Sequence, residues 1–463
     1  MDTEKPELKI NILKSRDDRE PIKFEEALGG NFNLADGVSC SWLKDDEPFG
    51  PDELRKRIEP WLTALFQSEH LSLLLGSGLT LAVGGLAGVP HNELTSMGAV
   101  KFDVFADQIK AAADQTAEKA GRKTSNFEDQ IRVANELLTG LRHYSILSSS
   151  PKDLKVEINK LEETISTALL GLAKSILDGE NKIISAAQRE NGFNYLVNFL
   201  MSPASRAGTR DRLQIFTTNY DRLIESGAEV AGLHLIDRFV GSLAPIFRSS
   251  RLNVDMHYNP PGIRGEPRYL EGVARFTKLH GSVDWVNSDR DIRHIGLPLG
   301  AKNIEPFLAS TGIQGVKPLN LMIYPNSSKD RETSAYPYVD LFRDFAAAIC
   351  RPNSTLVTYG YSFGDEHINR VIEDMLTIPS THLVIISYGD VLGRIMATYE
   401  RIARPAQVTL LVGNHLGNLK TLVDHYMPKP AIDKTTFKMT ELLKSRFSTM
   451  EAKDKKDEEK GDE

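Results

Sequence analysis

The residues able to do chemistry in this chain gather where apolar runs stop. "LLLGSGLT" ends in Gly76, Ser77, Gly78 and Thr80, and "IFTTNYD" ends in Thr217, Thr218, Asn219 and Asp221. "FTKLHGS" ends in His280, Gly281 and Ser282, and "VTYGYSFGD" adds Gly360, Ser362, Phe363 and Asp365. Glycines after a strand allow backbone N–H groups close to a diphosphate, and a helix that starts there presents its positive end to it. A histidine in such company is suited to moving a proton near neutral pH. Four apolar runs ending in small or polar groups and a histidine make a stronger signature than any one of them.

Each stretch also has a plainer reading. A lone GxG after a strand is weakly specific and by itself reads as a simple strand-to-helix turn, and Gly84 sits three places beyond Leu81, where a strict GxGxxG has its third glycine. Asn219 and Asp221 suit the cap of the helix "DRLIESGAEV", a role compatible with ligand contact. A single His280 would commonly be a satisfied core histidine, and Ser362 with Phe363 could be only a turn. Asp365, His367 and Asn369 lie close in sequence, but their spacing is a poor one for a metal, and no metal is expected. His257 and His415 have no evident partners, and Arg248 and Arg251 could face solvent or phosphate.

The elements that must position these groups can be read from periodicity. In "GPDELRKRIEPWLTALFQSEHLSLLLGSG", Leu54, Ile58, Trp61, Leu62 and Leu65 recur at helical spacing and feed the buried strand "LSLLLG". Further strand-like runs are "LQIFTTN" (213–219), "RFTKLHG" (275–281), "LNLMIYP" (319–325), "STLVTYGYSF" (354–363), "THLVIISYG" (381–389) and "VTLLVG" (408–413). Short apolar strands that alternate with helices predict an α/β fold, a doubly wound parallel sheet covered on both faces. Four helical patterns fill 101–200, from "VFADQIKAAADQTAEKAG" to "GFNYLVNFLM", and are expected to form a helical insertion between the first two strands. The expected organisation is an N-terminal arm over 1–54, a candidate oligomer contact, and a sheet domain over 55–100 and 201–420. The insertion over 101–200, a C-terminal helical segment over 421–450 and a disordered charged tail over 451–463 complete it.

Composition narrows the class. With 463 residues, 41% of them hydrophobic, there is material for a large core, and 56 Lys+Arg against 63 Asp+Glu exert no global pull toward nucleic acid. No apolar run approaches the roughly 20 residues that span a bilayer, and the start lacks a signal-peptide core, so a cytoplasmic, membrane-free protein is expected. The two cysteines, Cys40 and Cys350, form no CxxC and suit packing better than zinc or a disulfide scaffold.

"GSGLT", "TTNYD", "KLHGS" and "YGYSF" occur in the order and spacing in which sirtuins carry their glycine-rich loop, their Asn/Asp motif, their HG motif and their late GxS turn. Over residues 55–420 the chain resembles the prokaryotic sirtuin-like proteins of antiphage defence, in particular the type that works with a HerA-type hexameric ATPase. The resemblance implies a Rossmann-like NAD-binding domain, with NAD as substrate. Two departures stand out: no four-cysteine zinc ribbon follows the HG motif, and "LAVGGLAGVP" replaces a "GIPDFR" stretch. The acyl-lysine cleft is therefore in doubt, and hydrolysis of NAD to ADP-ribose and nicotinamide is the expected reaction.

On that resemblance, Gly76, Ser77, Gly78, Thr80, Thr218, Asn219, Gly360, Ser362 and Phe363 hold the dinucleotide. Asn219 orients the ribose or the attacking water, Asp221 supports the nicotinamide side electrostatically, and His280 acts as general base. The alternatives are an NAD-dependent protein deacylase and a non-catalytic nucleotide-binding assembly module. A homo-oligomer and a HerA-type partner are expected, with activity held low until assembly or infection. Nucleic acid is left open, reached through the partner if at all.

Overall fold

The computed structural model describes residues 10–15, 17–43, 47–94, 100–119, 122–147, 152–206, 210–251, 254–259, 268–288, 291–310, 317–323 and 336–429. The tail expected over 451–463 and most of the helical segment expected over 421–450 lie outside these residues.

Strands β1 (Ile10–Lys14), β2 (Ile22–Glu26) and β3 (Phe32–Leu34) form an antiparallel meander within the segment read as an arm. Helix α1 (Pro51–Phe66) starts on a proline, and the Glu53 carboxylate accepts from the Gly50 N–H at 3.0 Å. Its buried residues Leu54, Ile58, Leu62 and Phe66 recur every four positions, so one stripe faces the sheet. Strand β4 (His70–Leu75) follows, and a single residue, Gly76, separates it from α2 (Ser77–Ala87).

Helices α3 (Ala106–Lys119), α4 (Phe127–Leu147), α5 (Lys152–Ser185) and α6 (Arg189–Ala204) then intervene before β5 (Leu213–Thr217). Next come α7 (Leu223–Ala231), β6 (His234–Ile236), and the short strands β7 (Phe239–Val240), β8 (Ile246–Phe247), β9 (His257–Tyr258) and β10 (Arg268–Tyr269). Strands β11 (Val273–Lys278), β12 (Gly281–Asn287) and β13 (Ile292–His294), helix α8 (Glu305–Ser310) and β14 (Leu321–Ile323) continue the chain. It closes with α9 (Tyr338–Ile349), β15 (Ser354–Tyr359), α10 (Glu366–Leu376), β16 (His382–Ser387), α11 (Arg394–Ile402), β17 (Val408–Val412) and α12 (Leu419–Thr421).

The main sheet has ten strands in the order β3-β2-β1-β17-β16-β15-β4-β5-β11-β6. From β17 to β6 every pairing is parallel; β1 joins β17 antiparallel and extends that edge. This is the Rossmann-like α/β arrangement with a helical insertion. Strand β4 is the middle one of the seven parallel strands, with β5 on one side and β15 on the other. Between β4 and β15 lies the topological switch point, where the loops leaving adjacent strands diverge and open a crevice.

The leucine run of β4 is explained by burial on both faces. Leu71, Leu73 and Leu75 join the core beneath α1, α2 and α6, while Leu74 joins the opposite core with Phe216, Phe345 and Leu356. The four helices expected as one insertion divide between two layers. Residues Leu196, Phe199 and Leu200 of α6 pack into the main-sheet core, whereas α4 and α5 bury Ile131, Leu138, Leu161, Ile165 and Leu169 against Val283, Val286, Leu321 and Ile323. The run expected as a strand over 319–325 supplies β14, which pairs antiparallel with β12 in a separate five-stranded sheet and not in the main sheet. Its apolar side chains cover the insertion, which accounts for a pattern indistinguishable from that of a parallel strand.

Candidate active site

Gly76 and Gly360 end the two strands that flank the switch point, and no side chain fits between them. A Cβ on Gly76 would lie 2.4 Å from the Gly360 carbonyl oxygen, and one on Gly360 would lie 2.6 Å from the Gly78 Cα. Gly360 also has φ +61°, a left-handed conformation costly for other residues. The Gly78 N–H donates to the Gly360 carbonyl at 3.1 Å, which ties the two loops together. The first turn of α2 is thus fixed immediately behind the crevice, its positive end toward it.

Asn219 and Asp221 follow β5 and are locked to the same loop. The Asn219 Nδ2 donates to the Gly76 carbonyl and to Thr80 Oγ1, both at 3.0 Å, and Thr80 Oγ1 donates in turn to Asp221 Oδ2 at 2.6 Å. The carbonyl of Gly76 sets the amide orientation, because it can only accept. The Leu223 N–H donates to Asp221 Oδ1 at 3.1 Å, so the capping role and the site role coexist. From below, Lys278 donates to the Asp221 carbonyl and, at 2.8 Å, to Glu225 Oε1.

His280 ends β11, turned sharply by Gly281, whose φ of +92° and whose missing Cβ, 2.1 Å from the Met322 carbonyl, admit only glycine. Its Nε2 lies 2.8 Å from Asp365 Oδ2. Asp365 caps α10 by accepting from the His367 N–H at 3.1 Å, and its side chain is 7% exposed. A carboxylate only accepts, so this contact puts the proton on Nε2 and the basic lone pair on Nδ1. The Tyr220 ring stands 6.4 Å from the imidazole, centre to centre.

These groups line one cavity of about 630 Å³. Its walls include Gly76, Ser77, Thr80, Thr218, Asn219, Asp221, His280, Gly360 and Ser362, together with Asp365, which the sequence places at a strand end without a role, and Tyr220, which the sequence reading left out. Gly78 and Phe363 are not among the lining residues: Gly78 packs behind on Gly360, and Phe363 (φ +54°) is buried in the core against Tyr361. Asn369 donates to the Phe363 carbonyl at 2.9 Å and accepts from the Tyr361 hydroxyl at 3.0 Å, so it braces the turn. Among the described residues no group of His, Cys, Asp and Glu is arranged to hold a metal ion, and no helix is long and apolar enough to cross a membrane.

The insertion contributes to the wall, with Thr116, Arg122, Asn126 and Glu128 from α3, α4 and the loop between them and Leu172, Ile176 and Glu180 from α5. It is fastened beside Asp221: Glu180 of α5 accepts from the Arg222 backbone N–H at 2.7 Å and from its guanidinium at 2.6 Å. Burial pushes the Glu180 carboxyl up, and the charge of Arg222 holds part of that rise back. His257, Arg248 and Arg251 lie away from the cavity, and His415 bonds to the Tyr426 hydroxyl at 2.7 Å.

A parallel sheet with a glycine-tight switch point, an Asn–Thr–Asp lock and a carboxylate-oriented histidine in one crevice agrees with one domain family. Residues 213–404 match the family model of the SIR2-like domain. The match covers less than half of the 463 residues. It takes in β5 through α11, and with them Asn219, Asp221, His280, Gly360 and Asp365; the "GSGLT" loop and the insertion lie outside it. SIR2-like domains bind NAD, and many are NAD-using enzymes, so the match points to an NAD-related activity. No curated protein matches the chain.

Proposed function

We propose that this protein is an NAD glycohydrolase that depletes NAD in antiphage defence, within an assembly that includes a HerA-type ATPase. The single observation that carries the chemistry is the His280–Asp365 pair in the same cavity as the Asn219–Thr80–Asp221 lock. In NAD the nicotinamide is already cationic and leaves as a neutral base, through a transition state with positive charge on the ribose. The chain's task is to hold the ribose, favour that charge and admit water.

Asp221 supplies negative charge near the developing cation, and Thr80 keeps its carboxylate in place. The Asn219 Oδ1 is available to accept from a ribose hydroxyl or from water while Nδ2 is spent on the glycine loop. As the bond from C1′ to the nicotinamide nitrogen breaks, its electron pair stays with nicotinamide. Water bonds to C1′ and gives up a proton to the His280 lone pair, which passes it to solvent. The products are ADP-ribose, nicotinamide and one proton. Asp365 orients the imidazole and favours its protonated form, in the manner of an acid–histidine couple.

The test is nicotinamide release from NAD by wild type, His280→Ala and Asn219→Ala, with and without a co-purified ATPase. Both variants are expected to lose activity by at least about 100-fold, and the ATPase to raise the wild-type rate. Equal release by all three would remove the assigned roles, and rates indifferent to the ATPase would remove partner control. A deacylase would instead consume NAD only with an acylated peptide present. A binding module would retain NAD without forming nicotinamide.

A further inference from the structure

Resting on the reading of this cavity as a dinucleotide site, we propose that Arg122 of the insertion and Arg394 of α11 form a two-guanidinium subsite that grips the diphosphate. The two arginines are the only Lys or Arg among the described lining residues, which otherwise include Glu128, Glu180, Asp221, Asp365 and Glu366. A ligand that carries two phosphate charges is repelled by such a wall except where the arginines stand. The glycine loop offers dipoles but no net charge.

The geometry of both side chains suits the task. Arg122 is aimed by a buried carboxylate: its Nη2 donates to Asp129 Oδ1 at 2.9 Å, its Nη1 lies 2.8 Å from Oδ2, and Asp129 is wholly buried. Asp129 also accepts from the Asn126 N–H at 2.9 Å, which fixes the loop that carries the arginine. Arg394 lies over the turn that follows Gly360, since a Cβ on Gly364 would be 2.7 Å from its Nη1 and 3.4 Å from Ser362 Oγ. Its guanidinium therefore lies against the turn that follows β15, in the same cavity as the glycine loop. Burial lowers the Arg394 pKa, and the charge of Arg122 lowers it further, with Tyr361 opposing. Arg122 keeps its Asp129 partner, and both arginines line the same half-enclosed cavity, where one anion can bond to both.

In this arrangement the insertion is half of the phosphate grip. A dinucleotide would bridge the α3–α4 loop and the start of α11 across the cavity. Arginine suits the two positions because a guanidinium carries five N–H donors, so Arg122 can hold Asp129 and still offer donors to a phosphate.

The test is calorimetric titration of ADP-ribose into wild type, Arg394→Gln, Arg394→Lys and the double variant Arg122→Gln/Asp129→Asn, which leaves no unpaired buried carboxylate. NADP is titrated in parallel, and melting curves without ligand report on folding. The expected result is an affinity for ADP-ribose lowered about 10-fold or more in the glutamine variants, with partial recovery by lysine and a shallower dependence on salt. Wild-type binding matched by folded variants would overturn the subsite and leave the dinucleotide reading intact. Loss confined to NADP would also overturn it, by assigning the arginines to a ribose phosphate instead. Absence of any ADP-ribose binding by wild type would overturn the dinucleotide reading, and the subsite with it.

Discussion

Replacement of Asp365 by Asn isolates what the carboxylate does for His280. Asn caps a helix about as well as Asp, so the bond from the His367 N–H and the start of α10 survive. The size of the side chain is unchanged, but with Oδ1 still on the His367 N–H the new amide Nδ2 faces His280 Nε2 and can only donate, so the imidazole must carry its proton on Nδ1. What disappears is the charge and, with it, the lone pair on Nδ1. A hydrogen bond to a charged group is worth about 1.5–3 kcal/mol where a neutral one is worth about 1. The partners here are 17% and 7% exposed, so screening is modest, and the loss falls where the imidazole becomes cationic, in the transition state. The charge alone, a difference of about 0.5–2 kcal/mol, corresponds to about 2- to 30-fold in kcat, and the reversed tautomer takes the loss beyond that. Because Asp365 acts through the histidine, KM for NAD should change little. The assay is nicotinamide release over a range of NAD concentrations, with a melting curve as the control for folding. Wild-type kcat in Asp365→Asn, measured beside an inactive His280→Ala, would refute the coupling. A rise in KM at constant kcat would show instead that Asp365 binds ligand directly.

Gly360→Ala forces a Cβ to within 2.6 Å of the Gly78 Cα at a positive φ, so the two loops must part; a loss of about 1–3 kcal/mol in stability and of NAD binding is expected, measured by melting and calorimetry. Lys278→Met leaves the Glu225 carboxyl without its partner and should cost about 1–3 kcal/mol in denaturant unfolding, most of it recovered in Lys278→Met/Glu225→Gln. Around His294, burial lowers the pKa, but the charge and hydrogen bond of Asp284, with Asp237 and Glu225, outweigh it and raise the net value. Burial likewise raises Asp284, but His294 and Lys278 outweigh it and hold that carboxyl well below the usual range. The histidine contribution is complete below its unfolded value of about 6.5 and is lost as pH rises through the folded value, while the aspartate contribution is present above about 3.9 and is lost on acidification. Melting temperature should therefore fall above about pH 6.5, with a shallower fall in His294→Gln; identical slopes would contradict the pair.

The local groups of the site were legible because each is announced by its own strand. Apolar runs in β4, β5, β11 and β15 are buried on both faces and cannot alternate, so they stand out, and whatever ends them stands at a strand mouth. The same logic failed for β14, since an antiparallel strand covered by helices has the same apolar look. It also left α6 among the insertion helices, because periodicity reports an apolar stripe and not the surface that stripe meets.

What the chain's residues determined alone is local: strands, helices, caps, and the glycines at 76, 78 and 360 that allow a tight turn. Which distant groups face one another was decided by the strand order, which sets β4 between β5 and β15 and so brings Asp365 to His280 across 85 residues. Neither the charge–histidine pair nor the presence of Arg122 and Arg394 in one cavity has any signal in spacing. Contacts of that kind arise from the geometry of the switch point and from the packing of a whole helical layer, and a linear pattern carries no record of either.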